Sequence, residues 1–203
     1  MHLEKIAPGV EVYWARPKHA FARAHAYALD AGLVEPAHQT DEERAAWLAW
    51  IDERKPPAIL LTHHHFDHVF GVDEIQKIAG LPVWGPPRPR GKEPGSEYTV
   101  DRELHEGDDI GYGWRVLSTP GHTNHHIAFF NDATRVLIAG DVLTIGDGRA
   151  SELFATWKRL ARLDPAVTLT AHHYPIDDHL LPEWVATRLG EADVLRGRKG
   201  VPA

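Results

Sequence analysis

The run T-H-H-H-F-D-H at residues 62–68 constrains this chain more than any other feature. It follows a short apolar segment directly, so it lies at the end of a predicted buried strand. On an extended chain His63 and His65 leave on the same face, because alternate side chains share a face. Asp67 and His68 join them only if the chain turns and starts a helix. The run can therefore offer two imidazoles to one metal ion and a carboxylate with an imidazole to another.

Three further ligand candidates stand where an apolar strand gives way to a turn or a glycine-containing loop. They are His122 in T-P-G-H-T, Asp141 in A-G-D and His172 in T-A-H-H-Y. A single His or Asp after a strand is more often a turn residue or a helix cap than a ligand. The first run alone is also compatible with a chance cluster of surface histidines. Four strand ends that converge on one edge would instead make a rigid metal site, and the joint pattern favours it.

Composition limits both the metal and the partners. The chain has no cysteine, so imidazole and carboxylate groups must hold any metal, and they suit zinc, iron, manganese, cobalt or nickel. The net charge of −7 and the lack of a long basic run weigh against nucleic acid as a partner. The sequence has no apolar run of about 18 residues and no export pattern at its start. We therefore expect no membrane segment and a cytoplasmic protein.

The pattern of elements predicts a mixed α/β (α+β) protein with one domain over residues 1–203. A helix is expected to begin after Thr40, which forms a capping box with Glu43, and to end before Pro56. Further helices are predicted at 73–79, 151–163 and 182–195, and strands at 10–14, 26–29, 59–61, 82–84, 97–100, 114–118, 127–130, 135–139 and 167–170. Hairpins in the middle of the chain favour two sheets covered by helices over one doubly wound sheet.

The order H-x-H-x-D-H, T-P-G-H-T, G-D and a late A-H resembles the metallo-β-lactamase superfamily over nearly the whole chain. The resemblance implies a four-layer αβ/βα sandwich with a dinuclear metal site at one edge. In the implied ligand set the first metal ion is held by His63, His65 and His122, the second by Asp67, His68 and His172, and both by Asp141. His64 and His173 are expected not to be ligands, and His126 is expected to support the site from outside.

The implied cofactor is a pair of divalent metal ions, with zinc as the first choice and iron or manganese as alternatives. Two such ions can share a water and lower its pKa toward about 7, which provides a hydroxide nucleophile. Asp67 is the catalytic candidate, because a carboxylate can bind metal with one oxygen and orient the hydroxide with the other.

Within the superfamily the chain most resembles glyoxalase II, through the first run and through G-D-G-R at 146–149. The resemblance implies that Arg149 and Tyr174 bind the glutathione part of a substrate. A solvated loop charge and a half-buried aromatic ring are the alternatives for these two residues. The chain departs from glyoxalase II after Arg149, and we expect it to lack that family's C-terminal helical domain. We therefore predict hydrolysis of a small ester or thioester and leave glutathione recognition open.

Other functions of the same fold stay open from the sequence alone. They are a lactonase, a phosphodiesterase, a mononuclear iron persulfide dioxygenase and a metal-binding protein without turnover. The oligomeric state is also open, and a homodimer is one possibility. Metal content measured together with a panel of substrates would separate these functions.

Because Asp67 and Asp141 are the predicted carboxylate ligands, Asp67→Ala or Asp141→Ala is expected to lose metal and nearly all hydrolysis. Metal analysis and a hydrolysis assay on each purified variant check this. Full activity with normal metal content in either variant would contradict the ligand assignment.

Overall fold

The computed structural model describes residues 2–15, 24–88, 97–144, 146–172 and 176–177. Its strands are β1 (Glu4–Ala7), β2 (Val10–Tyr13), β3 (Ala26–Leu29), β4 (Gly32–Val34), β5 (Ile59–Leu60), β6 (Val83–Gly85), β7 (Arg102–Glu103), β8 (Asp109–Gly111), β9 (Trp114–Ser118), β10 (Ile127–Asn131), β11 (Val136–Gly140), β12 (Val167–Thr170) and β13 (Ile176–Asp177). Its helices are α1 (Asp41–Arg54), α2 (Phe66–Val69), α3 (Val72–Ala79) and α4 (Ala150–Leu163). None of these helices is long and apolar enough to span a bilayer.

The strands form two sheets. The first contains β1 to β7 in chain order, with antiparallel pairing from β1 to β4 and parallel pairing from β4 to β7. The second has the order β13-β12-β11-β10-β9-β8 and is antiparallel except for the parallel pair β11 and β12. The prediction of two sheets rather than one doubly wound sheet is confirmed.

The two sheets pack face to face and carry helices on their outer faces. Leu60 and Phe129 belong to the apolar core between the sheets. Trp47 of α1 and Ile75 of α3 pack on the outer face of the first sheet, and Trp157 of α4 packs on the outer face of the second. These four layers are the αβ/βα sandwich that the sequence predicts.

The start of α1 follows the predicted capping chemistry. The Thr40 side chain accepts a hydrogen bond from the Glu43 backbone N–H at 3.2 Å, which satisfies one unpaired donor of the first turn. The Glu43 carboxylate accepts from the Gln39 N–H and from the Tyr13 hydroxyl, each at 2.9 Å. The same residue therefore caps the helix and ties it to β2.

The predicted strand at 97–100 is wrong, because those residues have no regular structure and the edge strand β7 forms after them. Side chains, rather than a neighbouring strand, accept hydrogen bonds from the backbone N–H groups in this region. The Asp101 carboxylate accepts from the Val83 N–H at 2.8 Å, and the Gln76 side chain accepts from the Thr99 N–H at 3.0 Å. Strands β1, β4, β8 and β13 were not predicted, and the predicted helix at 182–195 lies outside the described residues.

Hydrogen bonds join the two sheets at the edge where β5, β9, β11 and β12 end. The Thr62 carbonyl after β5 accepts from the Ile127 N–H of β10 at 2.9 Å, which joins the sheets, whereas the Gly140 carbonyl accepts from the Ala171 N–H at 3.1 Å within the second sheet. The buried Tyr27 hydroxyl donates to the Thr170 carbonyl at 2.6 Å. The residues that follow these strands are therefore held on a rigid frame.

Gly121 lies where the loop after β9 meets the start of α4, with φ at +130°. A Cβ atom there would lie 2.2 Å from Leu153 N and 2.3 Å from Leu153 Cα, so α4 would have to move. We expect Gly121→Ala to lower the free energy of unfolding by about 1–3 kcal/mol more than a control glycine substitution. Urea denaturation measures both variants.

Gly107 is the matched control, because its φ is +84° and a Cβ there would meet nothing within 4 Å. Gly107→Ala therefore reports backbone strain without overpacking. Equal losses of stability in the two variants would contradict the close packing at Gly121.

Candidate metal centre

The structure brings His63, His65 and His122 together at the common edge of the two sheets. Their ring centroids lie 4.7 Å (His63 to His65), 4.9 Å (His63 to His122) and 4.8 Å (His65 to His122) apart. One ring nitrogen of each lies within 4.8 Å of the others, and His65 Nδ1 lies 3.0 Å from His122 Nε2. This trio, the first half-site, can hold one metal ion.

Asp67, His68 and His172 form a second group beside the first. The chain turns into α2 at Phe66, as predicted, so Asp67 and His68 leave the strand end on a helical turn. His172 Nε2 lies 3.1 Å from Asp67 Oδ2, and His68 Nε2 lies 3.7 Å from the same oxygen. Their ligand atoms also lie within 4.8 Å of one another. We call this trio the second half-site.

Asp141 lies between the two half-sites. Its Oδ1 is 3.5 Å from His68 Nε2, and its Oδ2 is 3.3 Å from His172 Nε2 and 3.5 Å from His122 Nε2. The carboxylate therefore faces both groups, which is the position that a bridging ligand needs. All the predicted ligands therefore lie close together at this edge of the sheets. Their binding of metal stays a prediction.

Unpaired polar atoms point to a cation at this place. His63 Nε2, His68 Nε2 and Asp141 Oδ1 are buried and have no hydrogen-bond partner among the described residues. A buried polar atom without a partner costs about 1–3 kcal/mol. Imidazole nitrogens and carboxylate oxygens are also the donors that zinc and related divalent ions accept. The residues present thus fit a metal centre.

In two of the ligand histidines, the ring nitrogen that faces away from the centre meets another group. His63 Nδ1 lies 3.0 Å from Thr62 Oγ1, and His122 Nδ1 donates to the Thr144 carbonyl at 3.0 Å. Metal-binding histidines in proteins almost always use the second ring nitrogen in this way, because the contact fixes the tautomer and the ring orientation. The rings of His63 and His122 are therefore orientated before any ion binds.

Glu35 is a buried residue of the site that was not predicted from the sequence. It follows β4, is 1% exposed, and places Oε2 2.8 Å from His68 Nδ1. Its Oε1 accepts hydrogen bonds from the Thr62 N–H at 3.0 Å and from the Thr62 hydroxyl. The tripeptide V-E-P around this residue resembles an exposed turn. The one sequence feature that could have indicated its role was its position after a strand that lies beside the ligand-bearing strand.

Two further histidines are placed outside the ligand set. His126 is fully buried, and its Nε2 accepts from the Asp141 N–H at 3.2 Å. Burial first, and then His122, lowers the pKa of His126 to about 3, so this acceptor stays neutral. His64 points away and meets Tyr98 Oη at 2.7 Å. His126 supports Asp141 from behind, as expected, whereas His64 contacts neighbouring loops.

Protons balance the charge of the site in the absence of metal. Burial opposes a charged imidazole, but Asp141 and Asp67 overcome it at His172 and raise its pKa to about 9. Burial also lowers the pKa of His68, but Glu35 and Asp141 outweigh it and raise this pKa well above its usual value. Burial would raise the pKa of Asp141, yet His68 and His172 hold it far below its usual range. These protons occupy the place that a cation would fill.

One of the two predicted substrate-binding residues can be placed. Arg149 precedes α4 with 75% of its side chain exposed, and its guanidinium lies 3.3 Å from the Glu152 carboxylate. The loop that carries it is tied to the centre, because the Gly148 N–H donates to the His122 carbonyl at 2.8 Å. Tyr174 and His173 lie outside the described residues.

Asp147, on the same loop as Arg149, was not singled out from the sequence. Its Oδ1 lies 3.6 Å from His65 Nε2, the nitrogen that faces away from His122. The carboxylate is largely exposed and lies beyond hydrogen-bond distance, so it adds negative charge beside the first half-site.

Comparisons with known proteins agree with this geometry. The family model of the metallo-beta-lactamase superfamily matches residues 30–173. A hydroxyacylglutathione hydrolase of Pseudomonas putida is 36% identical over 155 residues, which are 72% of this chain and 58% of the relative. A similar protein of Serratia proteamaculans is 30% identical over 167 residues, which are 77% of this chain and 60% of the relative. The chain therefore spans less than two thirds of these relatives.

Solved structures share the fold. A metallo-beta-lactamase family protein from Thermus thermophilus superposes with a TM-score of 0.73 at 22% identity, over 93% of this chain and 82% of that one. A second protein, whose structure was determined in a di-iron-bound form, has a TM-score of 0.63 at 24% identity, over 89% of this chain and 96% of that one.

The raised pKa of His172 predicts how the metal-free protein responds to pH. Its proton stabilises the folded state fully below the ordinary pKa of 6.5, and this contribution is lost as the pH rises through about 9. We expect the melting temperature of the metal-free protein to fall between these values. The zinc-loaded protein should lack this fall, because the ion replaces the proton. Calorimetric melting of both forms across this range checks it.

Zinc binding at pH 7 should also release about two protons, one each from His172 and His68. Titration calorimetry in buffers of different ionisation enthalpy counts them. Binding without proton release would contradict the protonated state of these rings.

Proposed function

The chain belongs to the metallo-beta-lactamase superfamily, and on this basis we propose that it is a metal-dependent hydrolase of a small ester or thioester. The observation that carries the proposal is the pair of half-sites with Asp141 between them. Relatives named hydroxyacylglutathione hydrolase support the thioester class, because such a substrate joins an acyl group to a thiol.

The proposed cofactor is two divalent cations. The first would be held by His63, His65 and His122, the second by Asp67, His68 and His172, and both by Asp141. When bound, such a pair supplies Lewis-acid polarisation of a carbonyl oxygen and a water acidic enough to lose a proton near pH 7. Zinc is our first choice, and the neighbour determined in a di-iron-bound form supports iron as the alternative.

Asp67 is the catalytic candidate among the residues of the chain. Its Oδ2 faces His172 and His68 at 3.1 and 3.7 Å, so this oxygen belongs to the second half-site. The other carboxylate oxygen can accept a proton and so orient the attacking water. Since the side chain is partly exposed, it is within reach of a substrate that enters from solvent.

Arg149 is our candidate for substrate binding. Its exposed guanidinium can accept an anionic group through two parallel hydrogen bonds, and its loop is anchored to His122. An anionic thioester would then place its carboxylate on this loop and its carbonyl over the half-sites. Tyr174 is proposed as a second substrate contact from the resemblance to glyoxalase II alone.

The completeness of the second half-site favours two cations over the mononuclear iron alternative. Asp67, His68 and His172 are all present and close together, whereas a single iron would use only one trio. The same set argues against a binding protein without turnover, because it includes the carboxylate that can accept a proton.

A substrate panel with metal analysis tests the proposed function. The zinc-loaded and iron-loaded proteins are offered an anionic thioester, a lactone, a phosphodiester and a persulfide. We expect two metal ions per chain and fastest cleavage of the thioester. One iron with oxygen consumption on the persulfide, or tight metal binding with no turnover, would overturn the proposal.

Arg149→Ala is expected to raise KM for the anionic thioester about 10- to 100-fold, because a charged hydrogen bond contributes roughly 1.5–3 kcal/mol. The value of kcat should change little, since the residue binds the substrate away from the reacting carbonyl. Arg162→Ala is the control, because Arg162 is an exposed residue in the last turn of the same helix α4. Equal effects of the two substitutions would contradict the role of Arg149.

A further inference from the structure

Glu35 makes contacts that reach both halves of the metal centre. We propose that it is a positioning residue shared by the two half-sites, which holds one ligand of each by its two carboxylate oxygens. The inference rests on the metal centre of the proposed function, and it goes further by coupling the affinities of the two cations. Glu35 touches neither the substrate side nor the reacting atoms, since it is 1% exposed and lies behind the ligand rings.

The first contact runs through Thr62 to His63. A carboxylate oxygen can only accept, so the Thr62 hydroxyl donates its one hydrogen to Glu35 Oε1. The lone pairs of the same hydroxyl remain free to accept from His63 Nδ1, which lies 3.0 Å away. His63 therefore carries its proton on Nδ1. Its Nε2 is left with a lone pair toward the centre, and this is one of the buried atoms without a partner among the described residues.

The second contact reaches His68 directly. Glu35 Oε2 lies 2.8 Å from His68 Nδ1 as an ion pair without hydrogen-bond alignment, and a carboxylate this close favours a proton on Nδ1. The opposite nitrogen, Nε2, lies 3.5 Å from Asp141 Oδ1 and is available to a cation. One carboxylate thus selects the same tautomer in a ligand of the first half-site and in a ligand of the second.

The backbone holds Glu35 in this position. The residue has φ of 51°, a left-handed conformation that is uncommon outside glycine. Its N–H donates to the Leu60 carbonyl at 3.0 Å, and its carbonyl accepts from the Ala37 N–H at 2.7 Å. The chain therefore fixes the carboxylate between the two histidines rather than toward solvent.

The other outer contacts described for the histidine ligands stay within one half-site. The Thr144 carbonyl meets His122, and Asp147 lies beside His65, and both histidines belong to the first half-site. Removal of an outer partner commonly lowers metal affinity 10- to 100-fold. Loss of Glu35 should therefore weaken both cations, whereas loss of a partner on one side should weaken one.

Zinc titration of the metal-free full chain against a chromophoric chelator tests the inference through two dissociation constants. In Glu35→Ala both constants are expected to rise about 10- to 100-fold. In Thr62→Val only the constant of the first half-site should rise, because the contact between Glu35 and His68 remains. Thr168→Val is the matched control, since the buried Thr168 hydroxyl has no partner among the described residues, and it should change neither constant.

Glu35→Gln adds a variant of nearly the same shape. An amide has one accepting oxygen, so it can serve Thr62 or His68 but not both. One constant should therefore rise while the other stays near the value of the parent chain. Thermal melting of the metal-free protein shows whether Glu35→Ala folds. If it does not, this variant and Thr62→Val still test the inference.

The imidazole nitrogen resonances of the zinc-loaded protein give a readout that a merely structural role would not change. In the parent chain both His63 and His68 should carry the proton on Nδ1, and Thr62→Val should disturb His63 alone. Unchanged zinc constants in Glu35→Ala, or a rise in only one of them, would overturn the shared role.

Failure of this inference is distinct from failure of the proposed function. If the parent chain binds two zinc ions but cleaves no substrate, the proposed function is wrong. The zinc constants of the Glu35 variants then still test the inference. A parent chain that binds fewer than two zinc ions overturns both.

Discussion

The attraction between buried carboxylates and the imidazoles around them is the interaction on which this edge of the molecule depends. Removing a carboxylate from water costs several kcal/mol unless donors and positive charge replace the lost solvation. His68 lies between two such groups, 2.8 Å from Glu35 and 3.5 Å from Asp141. Without metal a proton on His68 provides the balancing charge, and a divalent cation can do so at its place. The site is therefore specified by charge as much as by geometry.

The frame of strands makes this concentration of charge possible. Side chains that repel or demand solvation would move apart on a flexible chain, but here each follows a strand whose end is fixed. The Thr62 carbonyl is held by the Ile127 N–H, and the Tyr27 hydroxyl donates to the Thr170 carbonyl, so the two sheets share the edge. His126 adds a neutral acceptor under the Asp141 backbone. The backbone, the neutral His126 and the buried carboxylate of Glu35 thus supply rigidity, which leaves the ligand side chains to face the centre.

Much of this edge could be predicted from the sequence, because local rules govern it. The alternation of a strand places His63 with His65, and the helical turn at Phe66 adds Asp67 and His68. Glu35 escaped prediction since its role depends on β4 lying beside β5, a contact between distant residues. The strand expected at 97–100 failed for a related reason. Side chains of Gln76 and Asp101 occupy the backbone groups there, and no local pattern reveals such competition.

The choice of substrate is expected to come from the loops, because the ligand side chains face one another around the centre. Thr144 and Gly148, from the loop before α4, contact the ligand His122 directly. A Cβ atom at Gly146 would lie 2.8 Å from His122 Nδ1, and one at Gly148 would lie 2.5 Å from the Gly121 carbonyl. The glycines let the loop lie against the ligand, so the contacts that orient His122 also set the position of Arg149. A change in the backbone of this loop would therefore also affect the first half-site. Substrate specificity can change without disturbing the ligands at residues with exposed side chains, such as Arg149.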